Sequence, residues 1–262
     1  MSHKYDSHQY ERRRFLTRLL LGAGTVVLTG CDKLSHAEWF GKVLTAGERL
    51  TKNTHDLLRT REVMAQEFDE ADLSPSFRSN GTSVPNSVEY QTLAENNFAD
   101  WVLTIDGLVE KPLKLTLVQL QQLPSRTQIT RHDCVEGWSA IGKWKGTPLH
   151  ELLALAKPLS QAKYAVFHCA DPMKDDGTNL YYESIDMDDA HHAQTILAYQ
   201  LNDETLPIKN GAPIRLRVER QLGYKHAKYI MRIELVESFA HIEAGKGGYW
   251  EDSAGYEWYA GI

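Results

Sequence analysis

The chain is short of cysteine. Cys31, Cys134 and Cys169 are the only three in 262 residues. Such a count leaves no Cys-x-x-Cys-His run, which excludes a fused c-type haem. Other signatures are missing too. There is no Gly-x-Gly-x-x-Gly turn, no P-loop, no internal repeat and no low-complexity segment, so the common nucleotide-binding loops are excluded. No apolar stretch spans a bilayer with ease; Leu19 to Gly30 falls short of the ~20 residues needed. Positive charge is also lacking in the body. The formal net charge is −6, and −9 without residues 1–30, which carry a net +3. A body that acidic excludes nucleic acid as an expected partner.

What is present begins with a targeting pattern. Arg12-Arg13-Arg14-Phe15-Leu16 has the Arg-Arg-x-Phe-Leu form of a twin-arginine (Tat) signal, followed by the apolar stretch. Residues 1–30 are therefore expected to address the protein to the Tat translocon and the periplasm. Leu28-Thr29-Gly30-Cys31 resembles a lipobox, so Cys31 is expected to carry a lipid anchor at the inner membrane. The other reading is simple cleavage near Gly30 and a soluble product.

Residues 31–72 are expected to form a helical linker or stalk. Phe40, Val43, Leu44, Leu50, Leu57 and Leu58 fall near helical spacing between Lys, Arg and Glu, which predicts a helix over 36–70. Ser, Pro, Asn and Gly from Leu73 to Asn97 predict a loop. Strands are predicted over 101–107, 126–132, 164–169, 213–219 and 229–238. Helices are predicted over 115–123 and 148–156, the latter burying Leu149, Leu152, Leu153 and Leu155. The sum is a mixed α+β domain with a β-rich core over 73–262.

Cys134, in Arg131-His132-Asp133-Cys134-Val135-Glu136-Gly137-Trp138-Ser139, is the first candidate site residue. A thiolate is a soft metal ligand, and a field from Arg131, His132, Lys143 and Lys145 is expected to favour it. Two other readings stand: a buried free thiol, and a Cys134–Cys169 disulfide in an oxidising compartment. The loop around Arg78 and Asn80, the turn Asn210-Gly211-Ala212-Pro213-Ile214-Arg215 and the run Gly223-Tyr224-Lys225-His226-Ala227-Lys228 set cations beside exposed backbone N–H groups. That combination suits a phosphate-bearing ligand. His168 reads as a satisfied core histidine, and Asp171, Asp175 and Asp176 as a solvated acidic loop. The adjacent pair His191-His192 points two ways on a helix, against a shared metal. Trp250, Tyr256, Trp258 and Tyr259 read as a packed cap.

These motifs resemble the sulfite oxidase and periplasmic methionine sulfoxide reductase family of molybdopterin oxidoreductases. Cys-Val-Glu-Gly-Trp-Ser with Trp-Lys-Gly-Thr-Pro-Leu after it, Asn-Gly-Ala-Pro-Ile-Arg, and Gly-Tyr-Lys-His-Ala-Lys carry the resemblance, which runs from about Leu73 to Ile262. It implies a sulfite-oxidase-type fold and one Mo-molybdopterin per chain, with Cys134 as the molybdenum ligand and catalytic thiolate. It implies cofactor contacts at Arg78, Asn80, Cys169, His192, Asn210, Arg215, His226, Ala227 and Lys228, with Lys225 adding charge. Where the animal sulfite oxidases have an Arg-rich segment, Ser139-Ala140-Ile141-Gly142-Lys143 follows the cysteine here, nearer the sulfoxide-reductase branch. The implied activity is oxygen-atom transfer to or from a small S-oxide, N-oxide or sulfite-like substrate. A separate electron partner is implied, a membrane cytochrome b or a soluble cytochrome c. The reading from another class is a non-catalytic exported binding module with structural cysteines.

Overall fold

A computed structural model describes residues 63–262 except Asp175, and ten positions between Trp39 and Thr54. The Tat and lipobox motifs lie outside the described residues. The contacts divide the chain into two units, Met1–His55 and Asp56–Ile262. The described positions between Trp39 and Thr54 are helical. The helix does not continue through 63–69: Glu67 bridges Thr130, and the Phe68 N–H donates to the Ile129 carbonyl at 2.9 Å. This segment pairs with a strand edge instead. Among the described residues no helix is long and apolar enough to cross a membrane.

In the larger unit two five-stranded sheets enclose the core. The first has the order β2 (Leu113–Thr116), β1 (Val102–Gly107), β10 (Ile230–Val236), β5 (Tyr164–Pro172), β6 (Leu180–Asp186). β1 and β10 run parallel, and the other pairs run antiparallel. The second has β3 (Arg126–Cys134), β4 (Trp138–Pro148), β7 (Ile196–Leu201) and β8 (Glu204–Thr205), with β9 (Arg215–Arg217) pairing β7. The main core joins Leu103, Ile105, Phe167, Ile233 and Leu235 of one sheet to Leu197 and Leu216 of the other, under α3 (Leu149–Ala156). On α3, Leu149, Leu152 and Leu153 are buried as predicted, whereas Leu155 faces solvent.

The loop predicted over 73–97 contains α1 (Val88–Glu95), begun by Ser87, whose Oγ accepts from the Tyr90 N–H at 3.3 Å. A serine cap at the head of a polar helix hides among loop residues. The helix predicted over 115–123 splits into the end of β2 and α2 (Leu117–Gln121), because Thr116 and Gln119 close a capping box there. The short α4 (Met187–His191) and α5 (Tyr249–Ala254) complete the set.

β3 points an unusual face inward. Its buried positions are Gln128, Thr130, His132 and Cys134, a polar row. The row ends at the β3–β4 hairpin, where Cys134 pairs with Trp138 across a three-residue turn. Gly137 takes φ 84° there and donates its N–H to the Cys134 carbonyl at 3.0 Å. The turn thus fixes the thiol at the tip of a rigid hairpin.

Candidate cofactor site

An open cavity lies at that hairpin tip. Cys134, Val135 and Glu136 form one side. Asn80, Gly81 and Thr82 form a second, Asp171, Met173 and Tyr181 a third. Gly223, Tyr224, His226 and Lys228 come from the loop after β9, and Trp250 and Tyr256 from the C-terminal segment. Segments far apart in sequence thus meet around one thiol.

The cations behind the cavity are its main electrostatic feature. Arg215 is fully buried, and its guanidinium donates only to carbonyls, those of Asn210 at 3.0 Å and His226 at 3.3 Å; Nε finds no partner. Burial, then the neighbouring Arg217, lowers its pKa to about 9. Lys228 donates to the carbonyls of Asn80 at 2.6 Å, Thr82 and Lys209. Burial, then Arg215, lowers its pKa to about 7. Gly211 makes this crowding feasible: at φ 114° a Cβ there would stand 3.0 Å from the Cβ atoms of both Arg215 and Lys228. Arg217 differs, for Glu219 neutralises it at 2.5 Å. The hydrogen bonds of both cations go to carbonyls alone, and Lys228 has only the nearby Asp171 charge against it; burying the pair is costly, and a further anion would relieve that cost.

Neutral donors and acceptors surround them. His226 Nε2 contacts the Gln221 carbonyl at 3.0 Å, which assigns the proton to Nε2 and leaves Nδ1 a bare acceptor without a partner. Burial and Arg217 push its pKa well down, so the ring is neutral. His132 is driven neutral by burial and then Arg217, and accepts from Arg217 at Nδ1. A Cβ on Gly223 would stand 2.6 Å from His132 Nε2, so glycine alone fits there. Asn80 Oδ1, Asn210 Nδ2 and Asp171 Oδ1 are also buried without partners among the described residues.

Cys134 departs from expectation in one respect. Its pKa is raised, first by burial; a backbone hydrogen bond from Glu136 opposes this, the Glu136 charge adds to it, and Arg78 opposes it. Two of the cations expected to favour the thiolate are committed elsewhere. Lys143 is paired with Glu70 at 2.6 Å and Asp203 at 3.0 Å, and Arg131 with Asp133 at 2.9 Å. A bound metal would stabilise the ionised thiol that these surroundings disfavour.

The other candidates are distributed as follows. Arg78 lies 5.7 Å from the Trp138 ring centre and acts on Cys134 through its charge. Ala227 is buried, and its carbonyl accepts from Leu216 N–H at 2.8 Å. Cys169 is 2% exposed, packs in the main core and lies outside the cavity wall; both it and Cys134 are free thiols, so the disulfide reading is set aside. His192 is not brought to the cavity. Its Nε2 contacts the Val63 carbonyl at 3.1 Å, and burial, then Arg220, lowers its pKa to about 4. Lys225 is buried in an ion triad with Glu183 at 2.5 Å and Glu251 at 2.9 Å, which ties the His226 loop to β6 and α5. His168 is half-exposed, paired with Glu234 at 3.0 Å.

Three residues read as bland in the sequence belong to the site. Asp171 is 4% exposed in the cavity wall, and burial raises its pKa to about 6 against the opposing charge of Lys228. Trp250 and Tyr256 line the cavity, while Trp258 packs on Tyr164 at 5.4 Å as a cap.

A thiol, two buried cations hydrogen-bonded only to carbonyls and several unpartnered polar groups fit a large anionic metal cofactor with a phosphate end. Comparison with known proteins agrees. The oxidoreductase molybdopterin binding domain family matches residues 90–241, and the chain belongs to that family. A subunit of Azospira oryzae, provisionally named a protein-methionine-sulfoxide reductase subunit, is 37% identical over 95% of this chain and 87% of its own. The protein-methionine-sulfoxide reductase catalytic subunit MsrP of Xanthomonas axonopodis is 32% identical, over 88% and 72%. The sulfane dehydrogenase SoxCD from Paracoccus pantotrophus shares the fold, with a TM-score of 0.50 and 24% identity over 60% of this chain; the match spans 41% of that one. The protein is thus a molybdopterin-binding oxidoreductase with a sulfite-oxidase-type α+β fold.

Proposed function

We propose that this chain carries one molybdenum–molybdopterin and reduces an S-oxide in the periplasm, with electrons from a membrane cytochrome b or a soluble cytochrome c. The observation that carries the reading is the pair Arg215 and Lys228, buried with carbonyls as their hydrogen-bond acceptors at a cavity whose tip holds Cys134. The relatives' names favour S-oxide reduction over sulfite oxidation, as does the absence of an Arg-rich segment after Cys134.

When bound, the cofactor supplies two-electron oxygen-atom exchange at molybdenum. Cys134 would give the metal a thiolate from the hairpin tip. Arg215 and Lys228 would hold the phosphate end by charge-assisted hydrogen bonds. Asn80, Asn210, Asp171 and the His226 Nδ1 would meet the polar edges of the pterin, since each has an unpartnered atom turned away from water. Met173, Tyr181, Trp250 and Tyr256 give the remaining wall an apolar and aromatic character suited to a thioether product.

Tat export through Arg12 and Arg13, and anchoring through a lipid on Cys31, complete the proposal. The test is turnover of a small sulfoxide with a reduced viologen dye as electron donor, alongside molybdenum and pterin analysis. Pterin-loaded protein that reduces no sulfoxide but oxidises sulfite would reverse the proposed direction.

A further inference from the structure

The helical segment between Trp39 and Thr54 is not used by the catalytic account, and its surface is odd for a mere spacer. Trp39, Val43 and Leu50 are 59%, 55% and 68% exposed. At 3.6 residues per turn they fall within about 40° of one another, so they form one ridge. Backbone acceptance from the Thr51 and Thr54 hydroxyls by Gly47 and Leu50, at 3.0 and 2.7 Å, confirms helical spacing along it. Exposed Lys42 flanks the ridge, about 60° from Trp39, while Thr51 is turned roughly 100° from Leu50. Scattered exposed apolar residues are ordinary, but three large ones aligned over three turns are not.

We propose that this ridge lies in the headgroup layer of a lipid bilayer and holds the catalytic domain beside the membrane. Trp39 follows Cys31 by eight positions. Even fully extended, that tether reaches only about 29 Å. A helix tethered so closely meets the bilayer before any other surface. A Trp at one end, aliphatic side chains along one face and a lysine at the border are the pattern of an in-plane interfacial helix. The proposal rests on the anchoring reading of Cys31 given above. It adds that the helix, not the lipid alone, attaches the chain to the membrane. It also places the domain where a membrane electron donor can reach it.

The experiment uses the full holoenzyme with vesicles of phosphatidylethanolamine and phosphatidylglycerol. Nitroxide labels are placed singly through Val43→Cys, Leu50→Cys and Thr51→Cys, with unsubstituted enzyme as the blank for Cys31, and turnover confirms folding. The expected result is an oxygen-to-nickel collision ratio several-fold higher at 43 and 50 than at 51. Equal water access at all three sites overturns the proposal. So does shielding of 43 and 50 without vesicles, which marks a second copy as occupant, or shielding only when a membrane cytochrome is present. Mass spectrometry of Cys31 tests the anchoring reading separately. An unacylated protein whose labels still enter the lipid sinks the anchor and keeps the ridge; an unacylated protein whose labels stay in water sinks both.

Discussion

The Arg215 guanidinium stands 5.2 Å from the centre of the Trp144 ring, and Arg217 stands 4.5 Å from the same ring. Trp144 is fully buried on β4, so the ring is a fixed platform for both cations. Only Arg217 has a carboxylate, Glu219. The indole therefore holds Arg215 in place without cancelling its charge, which stays available to an anion.

Trp144→Leu should loosen that platform. A desolvated cation–π contact is worth up to about 2 kcal/mol, and the lost ring volume costs stability of about 2–4 kcal/mol. The expected outcome is a lower melting temperature together with substoichiometric pterin. Full pterin occupancy in the folded variant would show that Trp144 does not orient Arg215.

Lys228→Met separates binding from stability. Losing one charge-assisted contact should weaken cofactor binding by about 1.5–3 kcal/mol. The cofactor-free variant should nevertheless be more stable than cofactor-free wild type, because a buried charge that folding disfavours, as its lowered pKa shows, is gone. Denaturant unfolding of both apoproteins, with pterin analysis of both holoproteins, checks the two signs.

The same residue gives the apoprotein a pH signature. The pKa of Lys228 falls from 10.5 to about 7 on folding, so between those values the unfolded chain binds more protons. Apoprotein stability should therefore rise as pH climbs from about 7 towards 10, and this rise should be lost in Lys228→Met. Asp171 acts oppositely: raised from 3.8 to about 6, it should make stability fall as pH rises through that window. Urea midpoints across pH, in wild type and in Asp171→Asn, resolve both arms.

Cys169 should be silent in redox chemistry. Its thiol is buried in the main core and its pKa is pushed well up by burial and then by Asp171. Cys169→Ala should cost roughly 1 kcal/mol for a small cavity, not the 2–4 kcal/mol of a lost cross-link. Alkylation without reduction, followed by peptide mapping, should recover both cysteines of the body unlinked.

Legibility followed the physics of each element. α3 was readable because its apolar spacing and its flanking Pro148 agree; β5 was readable as a continuous apolar run. β4, β6 and β7 were not, since Gly142, Gly146, Glu183 and Gln200 interrupt their patterns and only the sheet context makes strands of them. At the site, Cys134, Asn80, Arg215, His226 and Lys228 were legible from motif. Asp171 was not, because a buried carboxylate and a solvated one look alike in sequence. His192 was misplaced: its neighbour Asp189 takes Arg220 and Gln221, which turns that corner away from the cavity.

The central claim is that Cys134 ligates molybdenum. The most direct measurement is molybdenum X-ray absorption, with metal and pterin quantitation, on wild type and Cys134→Ser purified from molybdenum-replete cells. The account predicts about one molybdenum per chain in wild type. In the variant it predicts one sulfur ligand fewer and loss of turnover in a folded protein, because an alkoxide is a harder, less covalent donor. An unchanged sulfur shell with full activity in Cys134→Ser would contradict it.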